Sequence, residues 1–169
     1  NIYLDNERTY ARKIKEAYYT ICLENKLSKE QIIEAYLNTI NLGYGTYGIQ
    51  SAANAYFSKD VEDLDLLECA ALAALPQSPT TNALVLRVEK GSVNSDDKNI
   101  LEQDNDWIYY YNGKASKERR DTVLEFMCEQ GYITSEEKDK ALSASLKKHM
   151  KLSNSSSSSF ASYFTDYVI

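Results

Sequence analysis

Turn formers are scarce in this chain of 169 residues, which holds two prolines and six glycines. So few breaks cannot punctuate the many reversals of a β-sandwich, and long Ala, Leu, Glu and Lys stretches point to an all-α, mainly helical fold. Histidine is nearly absent. His149 stands alone in a polar stretch near the end, so a multi-histidine metal centre is excluded and any His-based triad has to use that residue. The three cysteines, Cys22, Cys69 and Cys128, are odd in number and form no CxxC pair. They read as small buried hydrophobes rather than as zinc ligands or a disulfide framework. No apolar run approaches the roughly 20 residues that cross a bilayer. Basic residues are also outnumbered, 19 Lys and Arg against 25 Asp and Glu, for a net charge of −6. Phosphate-backbone binding needs a basic footprint, so no nucleic-acid partner is expected. The chain opens at Asn1 without a methionine, a basic n-region or an apolar h-region, and reads as a start inside a longer polypeptide.

Helical periodicity dominates what is present. Ala11, Ile14, Ala17, Tyr18 and Ile21 recur at three and four, predicting a first helix that starts near Asp5 or Asn6. Ser28 with Gln31 forms a capping-box pattern ahead of a second helix reaching about Asn38. The segment 41–48 (NLGYGTYG) carries Gly43, Gly45 and Gly48, able to take positive φ and to bring backbone close to a ligand. Ile49, Ala52, Ala53, Tyr56 and Phe57 then fall on one helix face. Asp65 and Glu68 cap a nearly apolar helix over 66–75, stopped by Pro76 and Pro79 and expected to be central. Residues 85–115 break this pattern and read as a loop excursion, with room for a short strand pair through Trp107–Tyr111 (WIYYY). Helices resume over 116–130, with Val123, Leu124 and Met127 inward and Gly131 as the C′ residue, and from Thr134, capped with Glu137, to about 146. The Ser-rich stretch 154–159 reads as a mobile linker.

One strip of the first helix stands out chemically. Arg8, Arg12, Lys15, Glu16 and Tyr19 are spaced by three and four, with Lys13 flanking them. Between residues 6 and 16, four cations face two carboxylates in a protein that is acidic elsewhere. A solvated helix face is the ordinary explanation of such a run. A phosphate or pyrophosphate site is the sharper one, because guanidinium forks match phosphate oxygens.

Four segments in order carry a resemblance: RKIKE (12–16), KEQIIEAYLN (29–38), GYGTYGIQSAANAYFSK (43–59) and DLLECAALAALPQSP (65–79). Together they resemble the peptidoglycan glycosyltransferases of family 51, the polymerase domain of class A penicillin-binding proteins. ERRDTVLEFM (118–127) and GYITSEE (131–137) are similar to the two following helices of that family, and YFTDYV (163–168) resembles the entry to a transpeptidase domain. The resemblance implies a lysozyme-like, mostly helical domain that polymerises lipid II into glycan strands, releasing undecaprenyl pyrophosphate at the extracytoplasmic face of the bacterial cell membrane. It maps Glu16 onto the donor-side catalytic glutamate, assisting pyrophosphate departure directly or through Mg²⁺. Arg8, Arg12, Lys13 and Lys15 are implied as pyrophosphate ligands, and Tyr36 and Asn38 as lining residues, although Tyr36 suits a core and Asn38 a helix C-cap equally well.

The departures from that family set further expectations. Its acid/base glutamate motif and its Gly-Ser-Thr/Gln-Gln segment precede RKxxE, and neither stands ahead of residue 12 here. A general base supplies typically 10²- to 10⁴-fold, so this chain alone is expected to be inactive, with membrane contact made through residues before Asn1. Residues 1–146 are then a partial glycosyltransferase domain carrying a surface insertion at 85–117, and 147–169 a linker leading to the next domain. The competing reading is a non-catalytic helical interaction module of a cell-wall protein, with WIYYY as its contact patch.

Overall fold

The computed structural model describes residues 9–78, 81–94 and 96–153. The expected helix start near Asp5, Arg8, Pro79 and the stretches 154–159 and 163–168 lie outside them. The chain divides into two units, Asn1–Thr39 and Ile40–Ile169.

In the first unit, helix α1 (Tyr10–Lys26) is opened by Thr9, whose side chain accepts the Arg12 N–H at 3.3 Å and so satisfies one of the orphan donors of a helix start. Helix α2 (Lys29–Thr39) begins on the capping box that the sequence predicts. The Gln31 N–H reaches the Ser28 hydroxyl at 3.3 Å, and the Ser28 N–H reaches the Gln31 side chain at 2.9 Å. The helix runs one residue past Asn38, and the Thr39 hydroxyl donates to the Ala35 carbonyl, so Asn38 is no terminal cap. No residue of α1 or α2 is buried. The stripe of Ile14, Tyr18 and Ile21 that predicts α1 is 60–70% exposed.

The second unit holds the core. Gly43, Gly45 and Gly48 take φ of 78°, 73° and 85°, as the glycine-rich segment predicts, and Tyr44 joins them at 50°. The turn closes through Thr46 N–H to Gly43 O at 2.8 Å and Leu42 N–H to Thr46 O at 3.1 Å. Helix α3 (Ile49–Phe57) follows and buries Ala52, Ala53, Ala55, Tyr56 and Phe57. Helix α4 (Leu66–Ala74) starts at the reciprocal Asp65–Glu68 box and passes into the 3-10 turn Leu75–Gln77 that holds Pro76. It is central: Leu67, Ala70, Ala71, Leu72 and Ala74 are all buried, with the single acid Glu68 among them. Helix α5 (Gly113–Glu129) and helix α6 (Ser135–Ser143) complete the set. Leu124 of α5 and Ala141 of α6 meet Ala70 of α4 in a smaller second cluster.

The excursion over 85–111 holds the expected strand at Trp107–Tyr111 and two more, one strand beyond the short pair the sequence suggests. Strands β1 (Val85–Glu89), β2 (Ile100–Gln103) and β3 (Trp107–Tyr111) form an antiparallel sheet in the order β1-β3-β2. Val85 pairs with Tyr111 and Glu89 with Trp107, while a bulge shifts the β2 register between Ile100 and Glu102. WIYYY is thus the middle strand. Val85 and Ile108 are buried, and Tyr109 and Tyr111 lie against the main core, so the segment is built into the domain and is no surface appendage.

Two further expectations change. None of the cysteines is buried: Cys69 is exposed, Cys22 and Cys128 are half-exposed, and all three are free. Nor does the domain stop at residue 146. A strap of chain from Leu146 to Ser153 returns to α3, with the Lys151 and Ser153 N–H groups on the Tyr56 and Ala55 carbonyls at 3.0 and 3.1 Å. Leu146, Met150 and Leu152 fill the main core beside Tyr56 and Leu72.

Candidate functional site

Helical spacing places Glu16 one turn beyond Arg12 and beside Lys13. Arg12 Nη1 lies 2.9 Å from Glu16 Oε1, and Lys13 Nζ lies 2.6 Å from Oε2. Each carboxylate oxygen therefore holds one cation. The Lys13 hydrogen bond, reinforced by the Arg12 charge, keeps the Glu16 carboxyl below its ordinary value. Glu16 is an anion at neutral pH and has no proton to donate there. Both pairs are reachable from solvent, Lys13 being 69% exposed, and exposed pairs contribute little to stability. Such cations can be turned toward an incoming polyanion at small cost. The Arg12 Nε is buried and has no hydrogen-bond partner among the described residues.

Of the predicted site residues the structure brings Arg12, Lys13 and Glu16 together. Lys15 is exposed, and among the described residues no ion pair or hydrogen bond joins it, Tyr36 or Asn38 to that cluster. Tyr36 is 52% exposed, which removes its reading as a core residue. Glu16 belongs to no group of three metal-ligating side chains among the described residues. Its donor set suits Mg²⁺ only as one carboxylate of an octahedron otherwise filled by phosphate oxygens and water.

A second ionisable cluster sits in the other unit, on the N-terminus of α4. Glu68 is fully buried, and Lys59 Nζ donates to both of its carboxylate oxygens at 2.8 Å. His149, on the strap, places Nδ1 3.1 Å from Glu68 Oε1 and 3.1 Å from Asp65 Oδ2. The capping-box spacing joins Asp65 to Glu68 in the sequence, but nothing local brings a histidine 81 residues away onto them.

Comparison with known proteins agrees with the motif order. The transglycosylase family model matches residues 1–105. Penicillin-binding protein 1F of Bacillus subtilis is 38% identical over 151 residues, covering 89% of this chain and 18% of the relative. Penicillin-binding protein 1A of Aquifex aeolicus is 36% identical over 168 residues, covering 99% of this chain and 19% of the relative. The crystal structure of penicillin-binding protein 1A from Haemophilus influenzae superposes with a TM-score of 0.51 at 36% identity, over 73% of this chain and 15% of that one. The chain thus spans under a fifth of the length of these proteins. That neighbour shares the mainly helical fold found here, and with more than half of its residues matched by the family model, the chain belongs to the transglycosylase family.

Proposed function

We propose that this chain is the donor-side part of a peptidoglycan glycosyltransferase that polymerises lipid II and releases undecaprenyl pyrophosphate at the outer face of the bacterial cell membrane. The observation that carries the reading is the convergence of Arg12 and Lys13 on an ionised Glu16 along an exposed strip. As the glycosidic bond to the diphosphate breaks, charge gathers on the leaving oxygens, and fixed guanidinium and ammonium groups neutralise it. Arg12 offers a planar fork, while Lys13 and Lys15 act as point charges. Arg8, four residues before Arg12 in the sequence and outside the described residues, is assigned by the resemblance as a further pyrophosphate ligand. Glu16 holds Arg12 and Lys13 in place before substrate arrives, then shares them with the diphosphate. Were Mg²⁺ to take part, Glu16 would be its carboxylate ligand, and the ion would supply further charge neutralisation on the phosphates. Tyr36 and Asn38 line the substrate path. In the parent enzyme a transpeptidase domain follows, and the growing glycan strand is the acceptor.

Replacing Glu16 by Gln in the parent polymerase should lower glycan synthesis by roughly 10²-fold or more, the range seen when a preorganised electrostatic group is lost. Near-wild-type synthesis sinks the catalytic role. On this chain, Arg12→Ala should weaken binding of a pyrophosphate lipid analogue measured by titration, and an unchanged affinity returns the strip to an ordinary solvated helix face.

A further inference from the structure

The cluster on α4 shares no residue with the proposed pyrophosphate strip. The reciprocal capping bonds use one oxygen of each acid: Asp65 Oδ1 accepts the Glu68 N–H, and Glu68 Oε2 accepts the Asp65 N–H, both at 2.9 Å. That leaves Asp65 Oδ2 and Glu68 Oε1 turned toward the same nitrogen, His149 Nδ1, at 3.1 Å each. All three ligand atoms lie within 4.8 Å of one another. Ligand atoms bonded to one ion at about 2.1 Å stand about 3.0 Å apart at adjacent corners of an octahedron and about 3.4 Å apart in a tetrahedron. The His149 spacings fall between those values.

We infer that Asp65 Oδ2, Glu68 Oε1 and His149 Nδ1 form a binding site for a divalent transition-metal ion of the Zn²⁺ class, which clamps the strap onto the start of α4. One imidazole nitrogen with two carboxylate oxygens suits such ions better than Ca²⁺ or Mg²⁺, which favour all-oxygen shells. Lys59 does not block the site, because it also bonds Glu68 Oε2, and that oxygen stays with the ammonium while Oε1 turns to the metal. The retained cation offsets one of the two carboxylate charges and holds the buried acid in place when the ion is absent. Coordination needs the Nδ1 lone pair, so the ring binds as its Nε2–H tautomer and the hydrogen leaves Nδ1. The remaining coordination positions open toward solvent, since Asp65 and His149 are 45% and 29% exposed. Two ligands come from the α4 cap and the third from a strap already seated by its backbone bonds to α3, so the ion closes a loop that is largely preordered.

The full 169-residue chain should bind Zn²⁺ with one-to-one stoichiometry by calorimetry, and a large excess of the ion should raise the unfolding midpoint by roughly 5 °C or more. His149→Ala should weaken binding by roughly tenfold or more. Asp65→Asn keeps a good N-cap while removing the anionic ligand, and should weaken binding in the same direction without loss of helix content by circular dichroism. Cys69 neighbours both acids, so Co²⁺ absorption distinguishes the ligand sets. Weak visible bands without a near-ultraviolet thiolate band support the site. Zn²⁺ binding that both variants leave unchanged, a thiolate band, or no midpoint shift in the wild-type chain overturns it.

Discussion

Tyr56 shows how one side chain ties the second unit together. Its ring is fully buried, 5.8 Å from the Tyr44 ring, and its hydroxyl donates to the Leu42 carbonyl at 2.9 Å. Leu42 and Tyr44 belong to the glycine-rich turn, so this bond anchors the turn to α3. Burial pushes the Tyr56 phenol well above its ordinary value, which keeps it a hydrogen-bond donor. The neighbouring Tyr44 phenol is pushed up to about 12 by the same cause. Tyr56→Phe keeps the ring and leaves the Leu42 carbonyl without its donor, at a cost of about 1–2 kcal/mol by urea unfolding. Helical spacing alone places Tyr56 on a buried face, whereas its partner is invisible in the sequence because the turn that presents Leu42 is defined only once the glycines adopt positive φ. Glu68 is the same lesson with charge. Its spacing from Asp65 announces a helix cap, but only the tertiary return of His149 and the position of Lys59 give the fully buried side chain its further partners.

Helix starts marked by a capping box were the most legible elements, whereas α1 starts at Tyr10 and α5 at Gly113, both displaced from the starts the periodicity suggests. All three boxes, Ser28 with Gln31, Asp65 with Glu68 and Thr134 with Glu137, are reciprocated in the structure, because a cap is decided within four residues. The sheet is harder to read for the opposite reason: its strands are four or five residues long, and β1 must find β3 across the 17 residues between them, β2 included. Trp107 at the start of β3 is pinned by a partner no local pattern predicts, the Arg87 guanidinium 4.0 Å from its ring centroid. Thr134 holds the Glu137 side chain through two hydrogen bonds of 2.8 Å. Its backbone N–H, then its hydroxyl, hold the Glu137 carboxyl below its ordinary value. A group with a lowered folded-state pKa stabilises the fold above its unfolded pKa, near 4.3, and loses that contribution as pH falls through the folded value. Glu137→Gln should therefore flatten the loss of stability between about pH 5 and pH 3 in thermal melts, and an acid limb as steep as wild type counts against the assignment. Thr134→Ala at neutral pH should cost about 1 kcal/mol.

At the scale of the whole molecule the two units differ in what holds them. Among the described residues the core lies in the second, where α3, α4, the strap and one face of the sheet bury Tyr56, Phe57, Leu72, Leu75 and Leu84. In the first, α1 and α2 bury nothing and display Tyr10, Ile14, Tyr18, Ile21 and Ile33 at more than half exposure. The periodicity of α1 was legible, but periodicity states only that a helix has an apolar face, and whether that face is covered is a tertiary fact. Isolated helices of 17 and 11 residues are marginal in water, since most helix stability in proteins comes from covering such a face. Local opening free energy should then run from near zero in α1 and α2 to nearly the global value in α4. Hydrogen exchange on this chain at neutral pH should find the α4 amides exchanging slower than those of α1 and α2 by roughly two orders of magnitude or more. Adding a pyrophosphate lipid analogue that grips Arg12 and Lys13 should slow exchange in α1 selectively, because a ligand that binds only the folded helix shifts its opening equilibrium by mass action. Equal protection of α1 and α4 without ligand means that α1 is held by contacts the exposed stripe does not reveal. Slowing spread evenly over α4 and α5 places the ligand away from the cationic strip.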